Sequence, residues 1–133
     1  MVNCEKPVRV IARLDVKGPN LIKGLQLEGH RVLGHPAEFA HSYFEHDIDE
    51  IVLVDNVASL YARPFNLEVV RNVAETIFVP LTVVGGISCL DDIESAFRAG
   101  ADRVGINTGA VSNPQLIAEA VAVFGSQSIV GSV

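Results

Sequence analysis

The sequence predicts an α/β fold of four strand–helix units plus a fifth strand, half of a (β/α)8, or TIM, barrel; four such units can also form an open doubly wound sheet, and strand periodicity chooses between them. Three observations predict it. Short β-branched runs alternate with longer segments of helical periodicity, the pattern of βαβ units and a parallel sheet. The runs end in glycine or polar residues (Asp15, Gly85-Gly86, Asn107-Thr108), at the strand ends where such barrels carry their sites. The chain has 133 residues, whereas a closed barrel typically needs about 250. Residues 1–133 therefore read as a single half-barrel domain.

Residues 8–14 are β-branched and precede the turn residues Lys17, Gly18, Pro19 and Asn20, which predicts the first strand. Residues 17–35 form a long connection, of the kind that usually carries function, with a small hairpin around 21–23. Residues 36–46 open with proline, the residue favoured in a first helical turn. Residues 50–54 form the second strand, and residues 65–76 a helix in which Leu67, Val70, Val73 and Ala74 recur at helical spacing. Residues 81–84 make the third strand, ending at Gly85-Gly86. Residues 90–99 make a helix closed by Gly100. Residues 103–106 form the fourth strand, 114–124 a helix ending before Gly125, and 128–133 the fifth strand.

Side-chain alternation along the strands separates two faces. Arg9, Ile11, Arg13 and Asp15 share one face of the first strand, opposite Val10, Ala12 and Leu14. Arg103, Gly105 and Asn107 share a face of the fourth, and Glu50, Val52 and Val54 a face of the second. One face is aliphatic and suits packing on helices. The other carries charge at the strand starts (Arg9, Glu50, Arg103) and polar groups at the strand ends, which suits a barrel interior with a gate below and a site above.

Hydrophobic residues make up 49% and charged residues 20%, a globular composition. The formal net charge of −6 disfavours non-specific binding to nucleic acid or anionic lipid. Small anions can still bind through local backbone N–H groups. No apolar run approaches the roughly 20 residues of a membrane span, and residues 1–7 lack the apolar stretch of a signal peptide. Cys4 and Cys89 match no disulfide or metal pattern and read as reduced thiols. A soluble cytoplasmic protein is expected.

The chemistry concentrates at the strand ends. Asp15, inward at the end of the first strand, is a candidate general acid or base. Gly85 and Gly86 let the backbone approach an oxyanion, with the N–H groups of the next helix beside them. Gly105-Ile106-Asn107-Thr108-Gly109, on the neighbouring strand, offers a second set of donors for the same phosphate. Lys23, in the long connection, is either a lysine that reaches over a bound anion or a solvated one. His41 and His46 are five apart and do not share a helical face, and His30 and His35 lie in the long connection, so no metal site is expected.

Several stretches together resemble the cyclase subunit of imidazole glycerol phosphate synthase. They are Arg13-Leu14-Asp15-Val16-Lys17, Leu21-Ile22-Lys23-Gly24, Ile48-Asp49-Glu50-Ile51-Val52-Leu53-Val54-Asp55, Val84-Gly85-Gly86-Ile87, Gly100-Ala101-Asp102-Arg103-Val104-Gly105-Ile106-Asn107-Thr108 and Phe124-Gly125-Ser126-Gln127. The resemblance runs the length of the chain and covers the first half of that family's barrel. It implies an enzyme that takes ammonia from a glutaminase partner and closes an imidazole ring on the bis-phosphorylated ribonucleotide PRFAR. The products are imidazole glycerol phosphate and AICAR, and no cofactor is expected. The resemblance also assigns roles. Asp15 matches the first catalytic aspartate, Gly86, Asn107 and Thr108 one of two phosphate sites, and Lys23 the lysine of the first loop. Arg9, Glu50 and Arg103 match three of four residues gating ammonia entry, and Asp102 lies where the glutaminase docks.

The departures are specific. The second catalytic aspartate would fall just after Val133, and the second phosphate site and fourth gate residue belong to the other half. Arg13 stands where the family has cysteine, one layer below Asp15. A guanidinium there favours the ionised carboxylate and works against a general-acid role. Val84 replaces an inward glycine and narrows the cavity, and Val57 replaces a hydroxyl residue. The family's internal two-fold symmetry leads to the expectation of a homodimer that closes the barrel and sets Asp15 opposite its counterpart, with weak activity or none in the chain alone. A surplus fifth strand would have to fold away, swap or block that closure. The alternatives are a phosphate-binding half-barrel without turnover, and a related ammonia-using synthase acting on a phosphorylated or nucleotide sugar.

Overall fold

A computed structural model describes residues 7–24 and 30–132; Cys4 and Val133, with the rest of the N-terminus and of the long connection, lie outside them. The strands are β1 (Ile11–Lys17), β2 (Asn20–Gly24), β3 (His30–Gly34), β4 (Glu50–Val54), β5 (Leu81–Val84), β6 (Arg103–Ile106) and β7 (Ile129–Gly131). The helices are α1 (Pro36–Glu45), α2 (Asn56–Leu60), α3 (Leu67–Thr76), α4 (Leu90–Ala99), α5 (Thr108–Ser112) and α6 (Gln115–Phe124). One sheet orders the strands β3-β2-β1-β4-β5-β6-β7. The pairs β1–β4, β4–β5, β5–β6 and β6–β7 are parallel, and the hairpin β2–β3 joins the upper end of β1 antiparallel. This is the expected α/β half-barrel with its fifth strand.

Register sorts the residues into rows. Leu14, Leu53, Val83 and Val104 stand side by side on the outer face and are almost fully buried. Each such side chain contributes roughly 1.5–3 kcal/mol by leaving water. The helices cover this face in chain order, α1 against α3, α3 against α4 and α4 against α6. Their apolar stripes do the covering: Val69, Val70 and Val73 of α3, Ile93, Ala96 and Ala99 of α4, and Leu116 and Ala120 of α6. The Asn66 side chain accepts the Glu68 N–H at 3.1 Å and starts α3. Gly100, at φ +121°, closes α4, and a Cβ there would stand 2.5 Å from the Ala74 methyl.

The inner face carries two further rows. Arg13, Val52, Thr82 and Arg103 form the lower one, and Asp15, Val54, Val84, Gly105 and Val130 the rim. This face is the open one: the Arg13 side chain is 60% exposed.

Several boundaries and two helices differ from expectation. The first helix ends at Glu45, the helices expected at 65–76 and 114–124 are Leu67–Thr76 and Gln115–Phe124, and the fifth strand is Ile129–Gly131, not 128–133, because Ser126–Ser128 form a turn of 3-10 helix. The first strand is Ile11–Lys17, not residues 8–14: Val8 and Val10 are β-branched but exposed, and pairing with β4 and β2 extends the strand beyond Asp15. Asp15 is thus inside its strand, yet still level with Val54 and Val84, the last residues of β4 and β5. The short helices α2 and α5 were not expected, because five residues are too few to show helical periodicity.

Candidate functional site

The C-terminal rim holds a cleft of about 450 Å3, lined in part by Arg13, Val84, Gly85, Gly86, Asn107 and Thr108. The two glycines are required by backbone geometry, at φ +109° and +66°. A Cβ on Gly85 would run into the Asp55 carbonyl oxygen, and one on Gly86 would stand 2.6 Å from the Phe65 nitrogen. Gly105 is needed by packing, since a Cβ would come within 2.5 Å of Val84 Cγ2. Val84 therefore occupies the space that a side chain on Gly105 would need. Asn107 and Thr108 stand exposed where β6 turns into α5.

Arg13 and Asp15 meet as strand alternation leads one to expect. Arg13 Nε and Nη2 donate to a single oxygen, Asp15 Oδ1, at 3.1 and 2.9 Å. Asp15 is linked to the cleft through that guanidinium. Lys23 is elsewhere: it lies exposed on the hairpin, paired across it with Arg31, and is not among the cleft's lining residues.

Behind the rim a second cleft, of about 360 Å3, shares Gly86 and Thr108 and adds Arg63, Ser88, Asp92 and Asn113. Asp92 engages two N–H groups just ahead of the helix that follows Gly85-Gly86. Asp92 Oδ2 accepts the Ser88 N–H at 2.9 Å, the Ser88 hydroxyl at 2.8 Å and the Cys89 N–H at 3.2 Å. Partial burial opposes ionisation, but these hydrogen bonds from Ser88 and Cys89 outweigh it and hold the Asp92 carboxyl below its ordinary value. The spacing was present in the sequence: Cys89 and Asp92, three residues apart at the start of an apolar stripe, occupy the N-cap and N3 positions of a capping box. Asp55 also went unremarked. It is buried, and its Oδ1 accepts the Val57 and Ala58 N–H groups at 3.0 and 2.8 Å, which starts α2 and shapes the cleft wall.

The opposite end of the sheet carries a charge cluster. The Glu50 carboxylate is 7% exposed, with Arg9 Nη1 donating to Oε1 at 2.7 Å and Arg103 Nη1 to Oε2 at 3.1 Å. Three residues 41 and 53 positions apart in sequence thus converge at the strand starts. Asp102 is beside them in sequence but has a local task. Its Oδ2 accepts the Leu81 N–H at 2.8 Å, which pins the start of β5. Phe78, 89% exposed, projects nearby.

The profile of the family described as "Histidine biosynthesis protein" matches residues 9–133. The chain belongs to that family. Among curated members, imidazole glycerol phosphate synthase subunit HisF of Legionella pneumophila is 53% identical over 126 residues, covering 95% of this chain and 59% of that protein. HisF of Methanopyrus kandleri is 50% identical over 92% of this chain and 45% of its own length. HisF of Mycobacteroides abscessus is 47% identical over 94% and 49%. The chain spans about half the length of the curated relatives it matches. No helix of the described residues is long and apolar enough to cross a membrane. Cys89 is an exposed free thiol.

Proposed function

We propose that the chain supplies the N-terminal half of a cyclase site that uses ammonia to close the imidazole ring of imidazole glycerol phosphate, converting PRFAR with release of AICAR. The observation that carries this is the division of labour between the two ends of the sheet. Glycine, amide and hydroxyl groups line a cleft at the C-terminal rim, with a carboxylate one hydrogen bond away. A buried carboxylate bridged by two arginines sits at the N-terminal end. In this reading Gly85, Gly86, Asn107 and Thr108 hold one substrate phosphate, and Asp15 moves protons at the reacting centre. Arg9, Glu50 and Arg103 border the ammonia entrance, and Asp102 with exposed Phe78 marks the end that meets a glutaminase.

The open inner face needs a complement, which is either a C-terminal half-barrel or a second copy of this chain. A two-fold pair would set Asp15 opposite its counterpart and duplicate the phosphate cleft. The test is PRFAR turnover with ammonium, measured on the chain alone and after addition of the C-terminal half of a HisF relative, with molar mass by light scattering. AICAR release on addition supports the reading. Absence of both PRFAR binding and turnover in the complemented protein refutes it. Arg13 and Val84 favour a second reading, a related ammonia-using synthase for another phosphorylated or nucleotide sugar, which predicts phosphate-dependent binding without AICAR release.

A further inference from the structure

The rim cleft is nearly neutral. Among the described residues that line it, Arg13 alone carries a charge. A phosphate close to two negative charges at neutral pH would therefore face backbone, amide and hydroxyl groups and one guanidinium. Arg13 starts from the lower row, level with Val52, and its side chain climbs to the rim. It borders the cleft on one side and Asp15 on the other.

The Arg13–Asp15 contact is built to be broken. Both donors converge on one oxygen, Asp15 Oδ1, and do not form the two parallel bonds that make arginine–carboxylate pairs strong. The partners are 60% and 41% exposed, so water screens the attraction. The guanidinium has five N–H donors, of which Asp15 takes two. A phosphate offers three oxygens and twice the charge, and matches the planar fork.

We infer that Arg13 is the counter-ion of the phosphate bound at Gly85, Gly86, Asn107 and Thr108, and that it leaves Asp15 to serve it. Occupancy of the cleft thereby releases Oδ1 of Asp15 toward the substrate. The exchange makes Arg13 a specificity-determining residue: a ligand without an anionic group in the cleft leaves Asp15 tied. This inference rests on the phosphate reading of the cleft.

The test is calorimetric titration of inorganic phosphate and of ribose 5-phosphate into the wild-type chain, Arg13→Met, Arg13→Lys, Asp15→Asn and the Arg13→Met/Asp15→Asn double variant, with circular dichroism confirming that each is folded. Arg13→Met is expected to weaken both ligands by roughly tenfold, the loss of one strong charged hydrogen bond, with Arg13→Lys intermediate. Asp15→Asn tightens binding by freeing the guanidinium, and that gain disappears in the double variant. Equal affinity in wild type and Arg13→Met overturns the inference while leaving the phosphate cleft intact. So does a gain from Asp15→Asn that persists without Arg13. No binding of either ligand to the wild type overturns both the inference and the reading beneath it.

Discussion

Arg103→Met is expected to destabilise the fold about four times as much as Arg9→Met, against the ranking that distance alone would give. Arg9 makes the shorter contact with Glu50, 2.7 Å against 3.1 Å, but its side chain is 65% exposed while that of Arg103 is 32% exposed. Water replaces Arg9 readily, so its pair contributes about 0.5 kcal/mol. Arg103 shields the 7%-exposed carboxylate, and a hydrogen bond between charged groups in that setting is worth about 2 kcal/mol. Removing Arg103 leaves a buried charge with only a solvated partner. Glu50→Gln costs less, about 1 kcal/mol, because both arginines can rehydrate. The decisive measurement is the double variant Arg103→Met/Glu50→Gln. Once the carboxylate is neutral, losing Arg103 orphans nothing, so the double variant falls short of the sum of the singles by about 1 kcal/mol. Urea unfolding followed by far-UV circular dichroism reads this, since the chain has no tryptophan. Equal losses for the two arginine variants, or strict additivity, would refute the reasoning.

Two further outcomes test the site's framework. Gly105→Ala brings a methyl within 2.5 Å of Val84 Cγ2 and is expected to cost about 1–3 kcal/mol through overpacking. Val84→Ala in the same chain should restore much of that, and an unchanged melting temperature for Gly105→Ala would contradict the packing described. Asp92→Asn weakens the cap on Ser88 and Cys89 and is expected to cost about 1 kcal/mol at pH 7. Because the Asp92 carboxyl is lowered in the fold, its contribution is complete above the ordinary carboxylate range and is lost as pH falls through the lowered value. The two proteins should therefore converge in stability once the pH lies below the lowered Asp92 value, and a gap that persists there counts against the cap.

The sheet was legible because its short apolar runs are bounded by glycine, proline or charge. Residues 50–54, 81–84 and 103–106 fold as strands with those bounds, and 90–99 as a helix. The Arg13–Asp15 contact follows from alternation, and Glu50 and Arg103 meet because parallel strands bring their starts together, while Arg9 reaches Glu50 from just ahead of β1. Less legible was whatever depends on a partner. Val8 and Val10 have strand chemistry but lie exposed outside the strand. The α2 helix exists through a buried aspartate cap. After Gly86, Asp92 accepts the Ser88 and Cys89 N–H groups, so those two donors are engaged within the turn. The placement of Lys23 depends on how the hairpin pairs, which residue type does not reveal.

The order of the parallel strands bears on how this chain can be assembled. Along β1-β4-β5-β6-β7 each strand lies beside the one made just before it in the parallel series. Each pairing closes a loop of only roughly 20–40 residues, where the entropy of closure rises slowly with length. The tightest loop joins β5 to β6 around α4, the helix that glycine and aspartate cap at its two ends. A chain wired this way can add one unit at a time as it leaves the ribosome, and no strand has to wait for a distant segment before it finds its neighbour.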